Sequence, residues 1–262
     1  MAEIEIDGVP ADPARLAALG LLNYGHFTTL RVEAGGVRGL ELHLDRLVRD
    51  CRALFAAELD RALIRERIRA VLPADGEPLI VRVTVYDPAL GLERPAAPAT
   101  PALLVTTRPA ATAAPAPLRV RTVAHRRELP ELKHVGLFGL VHHRRAAQLA
   151  GYDDALLTDD AGLVTEGATW NVGFLAGNRL VRPAGPSLPG VTEALLAGAY
   201  GGPQSREPVR AAELARFDAA FALNAGVGLR PLAAVDGTAF DPAHPLLAEL
   251  RAAYLAVAAD PV

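Results

Sequence analysis

The stretch Leu163-Val164-Thr165-Glu166-Gly167-Ala168-Thr169-Trp170-Asn171-Val172 places one carboxylate, Glu166, at a turn between two short strands. An isolated Thr-Glu-Gly turn more often carries a solvated carboxylate than a functional one. What stands before and after it in the chain decides between the two.

Upstream, Leu132-Lys133-His134 falls between a strand read over Leu118–Val123 and a helix read over Leu137–Ala150, a loop position from which a side chain can face a cleft. Lys133 is the only lysine; of 27 lysines and arginines, the other 26 are arginine. A chain biased towards Ala, Arg, Gly and Pro lets arginine serve wherever a long-stemmed cation suffices. Arginine cannot serve where a primary amine must lose its proton and attack a carbonyl, because guanidinium stays protonated. On the count alone, a chance surface lysine and a reactive amine stand level.

Downstream, Leu188-Pro189-Gly190-Val191-Thr192 opens a helix whose free N–H groups and Thr192 hydroxyl suit a phosphate. Nearer the N-terminus, Leu42-His43-Leu44-Asp45-Arg46-Leu47 sets Arg46 at the polar border of an amphipathic helix. Taken singly, these are an ordinary helix start and a solvated cation. Cys51 reads as a buried thiol on the same helix, and His142-His143, being adjacent, point to different helix faces and do not pair on a metal. Tyr24 and His26 either line a pocket or fill the sheet; His134 packs beside the lysine or meets substrate.

The pattern around these residues predicts α+β organisation. Strands are read over Ile4–Ile6, His26–Glu33, Val37–Leu40, Pro78–Tyr86 and Ala102–Thr107, with helices from Leu42 and over Ala62–Val71. After a Pro/Ala linker at 109–117 come short strands at Asp154–Thr158, Leu163–Thr165, Thr169–Leu175, Arg179–Val181, Ala219–Leu223 and Leu229–Val235. A helix starts near Gly190, and another covers Pro245–Ala258. The expected domains are 1–108 and 118–262, the second carrying Lys133.

Net charge of -3 gives no reason to expect a nucleic-acid partner. No apolar run is long enough for a membrane span, and Met1-Ala2-Glu3-Ile4-Glu5 lacks the basic and apolar segments of a signal peptide. A single cysteine fits a reducing compartment. A cytoplasmic protein is expected, with no metal.

Taken in order, the His-x-x-Arg-Leu helix, the lone lysine, the Thr-Glu-Gly turn with Asn171 five residues after Glu166, and the Leu-x-Gly-Val-Thr helix start resemble the class IV aminotransferases. These are the fold-type IV pyridoxal phosphate enzymes, and the likeness covers nearly the whole chain. It implies a two-lobed α+β fold like that of D-amino-acid aminotransferase, pyridoxal 5′-phosphate as cofactor between the lobes, an amino-acid-type substrate and a homodimer. It implies that Lys133 forms the internal Schiff base and then moves the Cα proton. Glu166 would face the pyridine nitrogen; Arg46, Gly190, Val191 and Thr192 would hold the phosphate, with Asn224-Ala225 opening a loop near it; Asn171 would orient the cofactor.

The resemblance leaves the reaction open. Transamination is the first expectation. Phe27-Thr28-Thr29 resembles the 4-amino-4-deoxychorismate lyases, where a threonine hydroxyl would assist elimination to pyruvate and 4-aminobenzoate; Thr28 and Thr29 are therefore catalytic candidates. Tyr24, His26, Phe27 and Trp170 are expected at the substrate, Trp170 narrowing the pocket. Val85-Tyr86-Asp87 stands where an arginine is common in the family, leaving Arg94 as the nearby carboxylate ligand. A pyridoxal phosphate-binding protein without turnover is the third reading, against which the retention of both Lys133 and Glu166 argues.

Overall fold

A computed structural model describes residues 4–74 and 76–262; the reading made of Met1-Ala2-Glu3 lies outside them. The chain forms two compact units. The first holds the residues up to Thr112 with Leu132–Gly136 and Ala259–Val262, and the second holds Ala113–Glu131 and Leu137–Ala258.

The first unit contains β1 (Ile4–Ile6), β2 (Val9–Pro10), α1 (Pro13–Leu22), β3 (His26–Glu33), β4 (Gly36–Arg38), α2 (Leu40–Phe55), α3 (Arg61–Ala70), β5 (Leu79–Tyr86) and β6 (Ala102–Pro109). Its antiparallel sheet runs in the order terminal strand Ala259–Pro261, β4, β3, β5, β6, β1, β2. Alternation along the strands sends Leu30, Val32, Val81, Val83 and Val85 into a core with Leu44, Leu47 and Cys51 of α2 and Ile64 and Ile68 of α3. Thr28 shares that face. Phe27 and Thr29 therefore point to the opposite face, beside their cross-strand partners Thr84 and Arg82. The return strand expected to reach Leu40 stops at Arg38, because Gly39 takes a left-handed conformation (φ 70°) and caps α2.

The Lys133 segment, expected with the second domain, belongs to the first unit. The Phe27 N–H donates to the Lys133 carbonyl (2.9 Å) and the Val135 N–H to the Gly25 carbonyl (2.9 Å), so the segment lies antiparallel along the start of β3. The stretch read as a linker at 109–117 straddles the boundary between units, β6 running on to Pro109.

The second unit contains β7 (Leu118–Ala124), α4 (Phe138–Leu149), β8 (Asp154–Thr158), β9 (Val164–Gly167), β10 (Asn171–Ala176), β11 (Arg179–Pro183), α5 (Val191–Ala199), β12 (Gln204–Glu207), a 3-10 turn (Ala211–Arg216), β13 (Ala219–Asn224), β14 (Gly228–Val235), β15 (Thr238–Ala239) and α6 (Pro245–Ala256). The mixed sheet runs β12-β11-β10-β13-β14-β7-β8-β9, with β15 on β14. One core gathers Trp170, Val172, Phe174, Phe217 and Leu232; a second joins Leu175, Phe221 and Leu223 to Leu196 of α5 and Leu247 and Leu250 of α6; a third sets Leu140 and Ala147 of α4 against Ala155 and Leu157 of β8. Each such side chain, fully buried, contributes about 1.5–3 kcal/mol, so both sheets rest on dense apolar packing. Among the described residues no helix is long and apolar enough to cross a membrane.

Candidate active site

In the first unit the site is built on a polar stripe along the buried side of α2. His43, Arg46 and Asp50 follow at helical spacing and are all buried among apolar neighbours. Asp50 Oδ2 accepts the Lys133 backbone N–H (3.0 Å), while Oδ1 takes Nε and Nη2 of Arg49 (3.0 and 2.7 Å). The lysine main chain is thus held from β3 on one side and from α2 on the other. Its Nζ lies 4.9 Å from the centre of the Phe27 ring.

Arg46 is 5% exposed; burial pulls its guanidinium down to about 10, against the opposing charge of Asp50. His43 Nδ1 and Thr28 Oγ1 share a buried hydrogen bond of 2.7 Å. Burial drives the His43 imidazole well below its ordinary value, with the charges of Arg46 and Lys133 adding to the effect. His26 is fully buried with no hydrogen-bond partner on either ring nitrogen among the described residues, and burial lowers it to about 4. It lies by Phe55 in the interior. Tyr24, half exposed, packs edge-on against Phe55 and donates to the Leu54 carbonyl (3.0 Å).

Alternation separates the two threonines paired as catalytic candidates. Thr28 faces α2, whereas Thr29 stands on the other side of the sheet opposite Arg82. Arg82 lays its guanidinium 3.6 Å from the centre of the Phe27 ring and donates from Nε to Thr84 Oγ1 (3.1 Å). Burial lowers its pKa. Arg94, the arginine expected at the substrate, is exposed in the loop after β5. Arg82 was missed because an arginine alternating with valines on a strand reads as a solvated side chain.

In the second unit the Glu166 carboxylate is buried and held at both oxygens. Arg127 Nη1 donates to Oε1 (2.9 Å), each side chain under a tenth exposed, and the Leu188 N–H donates to Oε2 (3.3 Å). Asn171 Nδ2 donates to the Leu188 carbonyl (2.8 Å), which ties the start of β10 to the approach of α5; Glu166, expected at a turn, lies instead within β9, and the chain turns after Gly167. A Cβ on Gly190 would meet Asn171 Oδ1 at 1.9 Å, so any side chain here would have to displace the Asn171 amide. Gly190 caps α5 without a side-chain bond, and Val191, Thr192 and Glu193 form its first turn, all buried. Glu193, which the sequence reading passed over, has its carboxyl pushed up by burial; Arg206 and Arg182 oppose the shift and Glu166 adds to it.

Asn224 Oδ1 accepts the N–H groups of Gly226 and Val227 (both 3.0 Å), which shapes the turn that Ala225 opens between β13 and β14. Trp170, expected to narrow a pocket, is a core residue instead. It packs over Gly167, where a Cβ would lie 1.9 Å from the indole, and its Nε1 donates to buried Asp154 (3.0 Å). A cavity of about 250 Å³ borders Arg126, Arg127, Asp159, Thr165 and Glu166. Among the described residues no group of three or more His, Cys, Asp or Glu side chains is placed to hold a metal.

The chain belongs to the class IV aminotransferases: the family model, Amino-transferase class IV, matches residues 25–235. Pyridoxal 5′-phosphate is the cofactor of this family. No curated protein matches the chain significantly.

Solved structures share the fold. A fold IV-transaminase from Curtobacterium pusillum superposes with a TM-score of 0.81 at 23% identity, covering 98% of this chain and 99% of its own. A hypothetical aminotransferase from Mycobacterium tuberculosis in its PLP-bound form gives 0.78 at 20%, covering 97% and 98%. A 4-amino-4-deoxychorismate lyase from Pseudomonas aeruginosa gives 0.76 at 29%, covering 95% and 97%.

Proposed function

We propose that the chain is a transaminase that moves an amino group between an amino acid or amine and a 2-oxo acid, with Lys133 as the covalent anchor of pyridoxal phosphate. The observation that carries this reading is the attachment of the Lys133 main chain to Asp50 and Phe27, which fixes where the only lysine stands. When bound, the cofactor supplies a conjugated ring that accepts the electron pair released as the substrate Cα–H bond breaks.

The chain's own groups do the rest. Lys133 Nζ takes the Cα proton and delivers it on the far side of the transfer. Glu166, oriented by the hydrogen bond from Arg127, would face the ring nitrogen. Arg46 on α2 and, on α5, the N–H groups of Val191 and Thr192 with the Thr192 hydroxyl would hold the phosphate, Asn224 and Ala225 would contribute to the same task, and Asn171 would orient the ring. Arg82, stacked on Phe27 and opposite Thr29, receives a substrate carboxylate. Phe138, Val141 and Leu149 leave an exposed apolar edge on α4 that supports a homodimer, and the single buried thiol of Cys51 suits a cytoplasmic setting.

Transamination is placed ahead of elimination because Thr28, the hydroxyl that would assist elimination, is fully buried and shared with His43. The lyase reading keeps a specific support: Phe27-Thr28-Thr29, together with the 29% identity to the Pseudomonas enzyme. The two separate when the loaded protein meets an amino donor without an acceptor. A transaminase releases one equivalent of 2-oxo acid and stops in the pyridoxamine form. Continued release of pyruvate from aminodeoxychorismate would overturn the transaminase reading, and failure to turn over any donor would reduce the protein to a cofactor carrier.

A further inference from the structure

Asp50 is the only carboxylate on the buried stripe of α2, and it has no exposed surface. A buried charge is costly unless it is paired and hydrogen-bonded. Its ion pair with Arg49 offers little compensation, since that guanidinium is 49% exposed and screened by solvent. The remaining bond is the informative one: Oδ2 accepts the Lys133 N–H across 83 residues of sequence. Asp50 also stands one helical turn from Arg46 and favours its charged form. One carboxylate therefore touches the main chain of the proposed anchor lysine and bears on the arginine proposed for the phosphate.

We infer that Asp50 is a positioning residue for Lys133: its Oδ2 fixes the lysine main chain so that Nζ is presented to the cofactor aldehyde. The inference rests on the assignment of Lys133 as the covalent anchor. The bond that Asp50 makes is to a backbone N–H, so an uncharged acceptor of the same shape can replace it and an apolar side chain cannot. Nothing in this role requires Asp50 to touch substrate. Misplacing a reacting atom by about 1 Å is enough to cost on the order of 100-fold in rate, which is why a main-chain contact can govern an amine several bonds away.

The test compares Asp50→Asn, Asp50→Ala and Asp50→Val in the full-length protein. Two quantities are read: hydrogen exchange of the Lys133 amide, and the rate at which cofactor-free protein mixed with pyridoxal phosphate forms a borohydride-trappable imine with loss of water. Asp50→Ala and Asp50→Val should exchange the Lys133 amide at least about ten-fold faster and form the imine at least about ten-fold more slowly. Asp50→Asn, which keeps an acceptor, should stay within about three-fold of the parent in both. Thermal unfolding separates this from loss of fold; if neither apolar variant folds, the Asn variant still decides. Wild-type imine rates in a folded apolar variant, or an Asn variant slowed ten-fold, would overturn the role. A parent protein that traps no cofactor at all would instead defeat the Lys133 assignment, while the amide exchange would still report whether Asp50 holds the loop.

Discussion

Thr28 Oγ1 lies 2.7 Å from His43 Nδ1, and both side chains are buried on the helix-facing side of β3. Replacing Thr28 with valine removes the hydroxyl and leaves the imidazole nitrogen unsatisfied, which should cost about 1–3 kcal/mol of stability in urea unfolding. Transaminase turnover should change by no more than a few-fold. A loss of about 100-fold or more, the scale of a missing proton-transfer group, would return Thr28 to the catalytic machinery and favour elimination.

Arg82 and Arg94 make opposite predictions. Arg82→Leu should raise KM for a carboxylate substrate by about 10- to 100-fold, the worth of a charged hydrogen bond, with the protein still folded. Arg94→Leu, in an exposed loop, should leave KM unchanged. The reverse result in steady-state kinetics would restore Arg94 as the substrate ligand.

At Gly190 the available space is set by Asn171. Gly190→Ala should destabilise the second unit by about 1–3 kcal/mol and weaken cofactor binding. Adding Asn171→Ala should recover part of the stability lost, and a double-mutant cycle with no coupling would contradict the contact.

Acid should loosen the first unit. The His26 ring sits at about 4 in the folded chain against an unfolded value near 6.5, so the unfolded state binds the extra proton between those values. Stability is therefore kept above about pH 6.5 and lost as pH falls towards 4, by up to about 3 kcal/mol from this group. Buried His43, also lowered, acts in the same direction. The nearby charge of Asp50 raises His26 and that of Arg49 lowers it, both less than burial does. His26→Phe should flatten the acid limb of stability measured between pH 7 and 4.

Much of this architecture is legible in the sequence because alternation and turn chemistry are local. The reading of His26–Glu33 and of Asp154–Thr158 coincides with β3 and β8. Helix α1 went unread because Pro13–Leu22 buries no residue fully and so carries no clear apolar stripe. The terminal strand Ala259–Pro261 was also unread, since it exists only by pairing with β4 more than 200 residues earlier. The site divides in the same way. Lys133, Arg46, Glu166 and Asn171, the residues proposed for the cofactor, stand out by type and order. Asp50, His43, Arg82 and Arg127 act through partners remote in sequence or across strands, which no linear pattern records.

Reducing the loaded protein with borohydride and mapping the modified peptide by mass spectrometry decides whether Lys133 carries the cofactor. One pyridoxyl phosphate adduct per chain is expected, on Lys133, and Lys133→Arg should leave the protein colourless and inactive. An adduct confined to the terminal amine, or turnover retained by Lys133→Arg, would contradict that assignment.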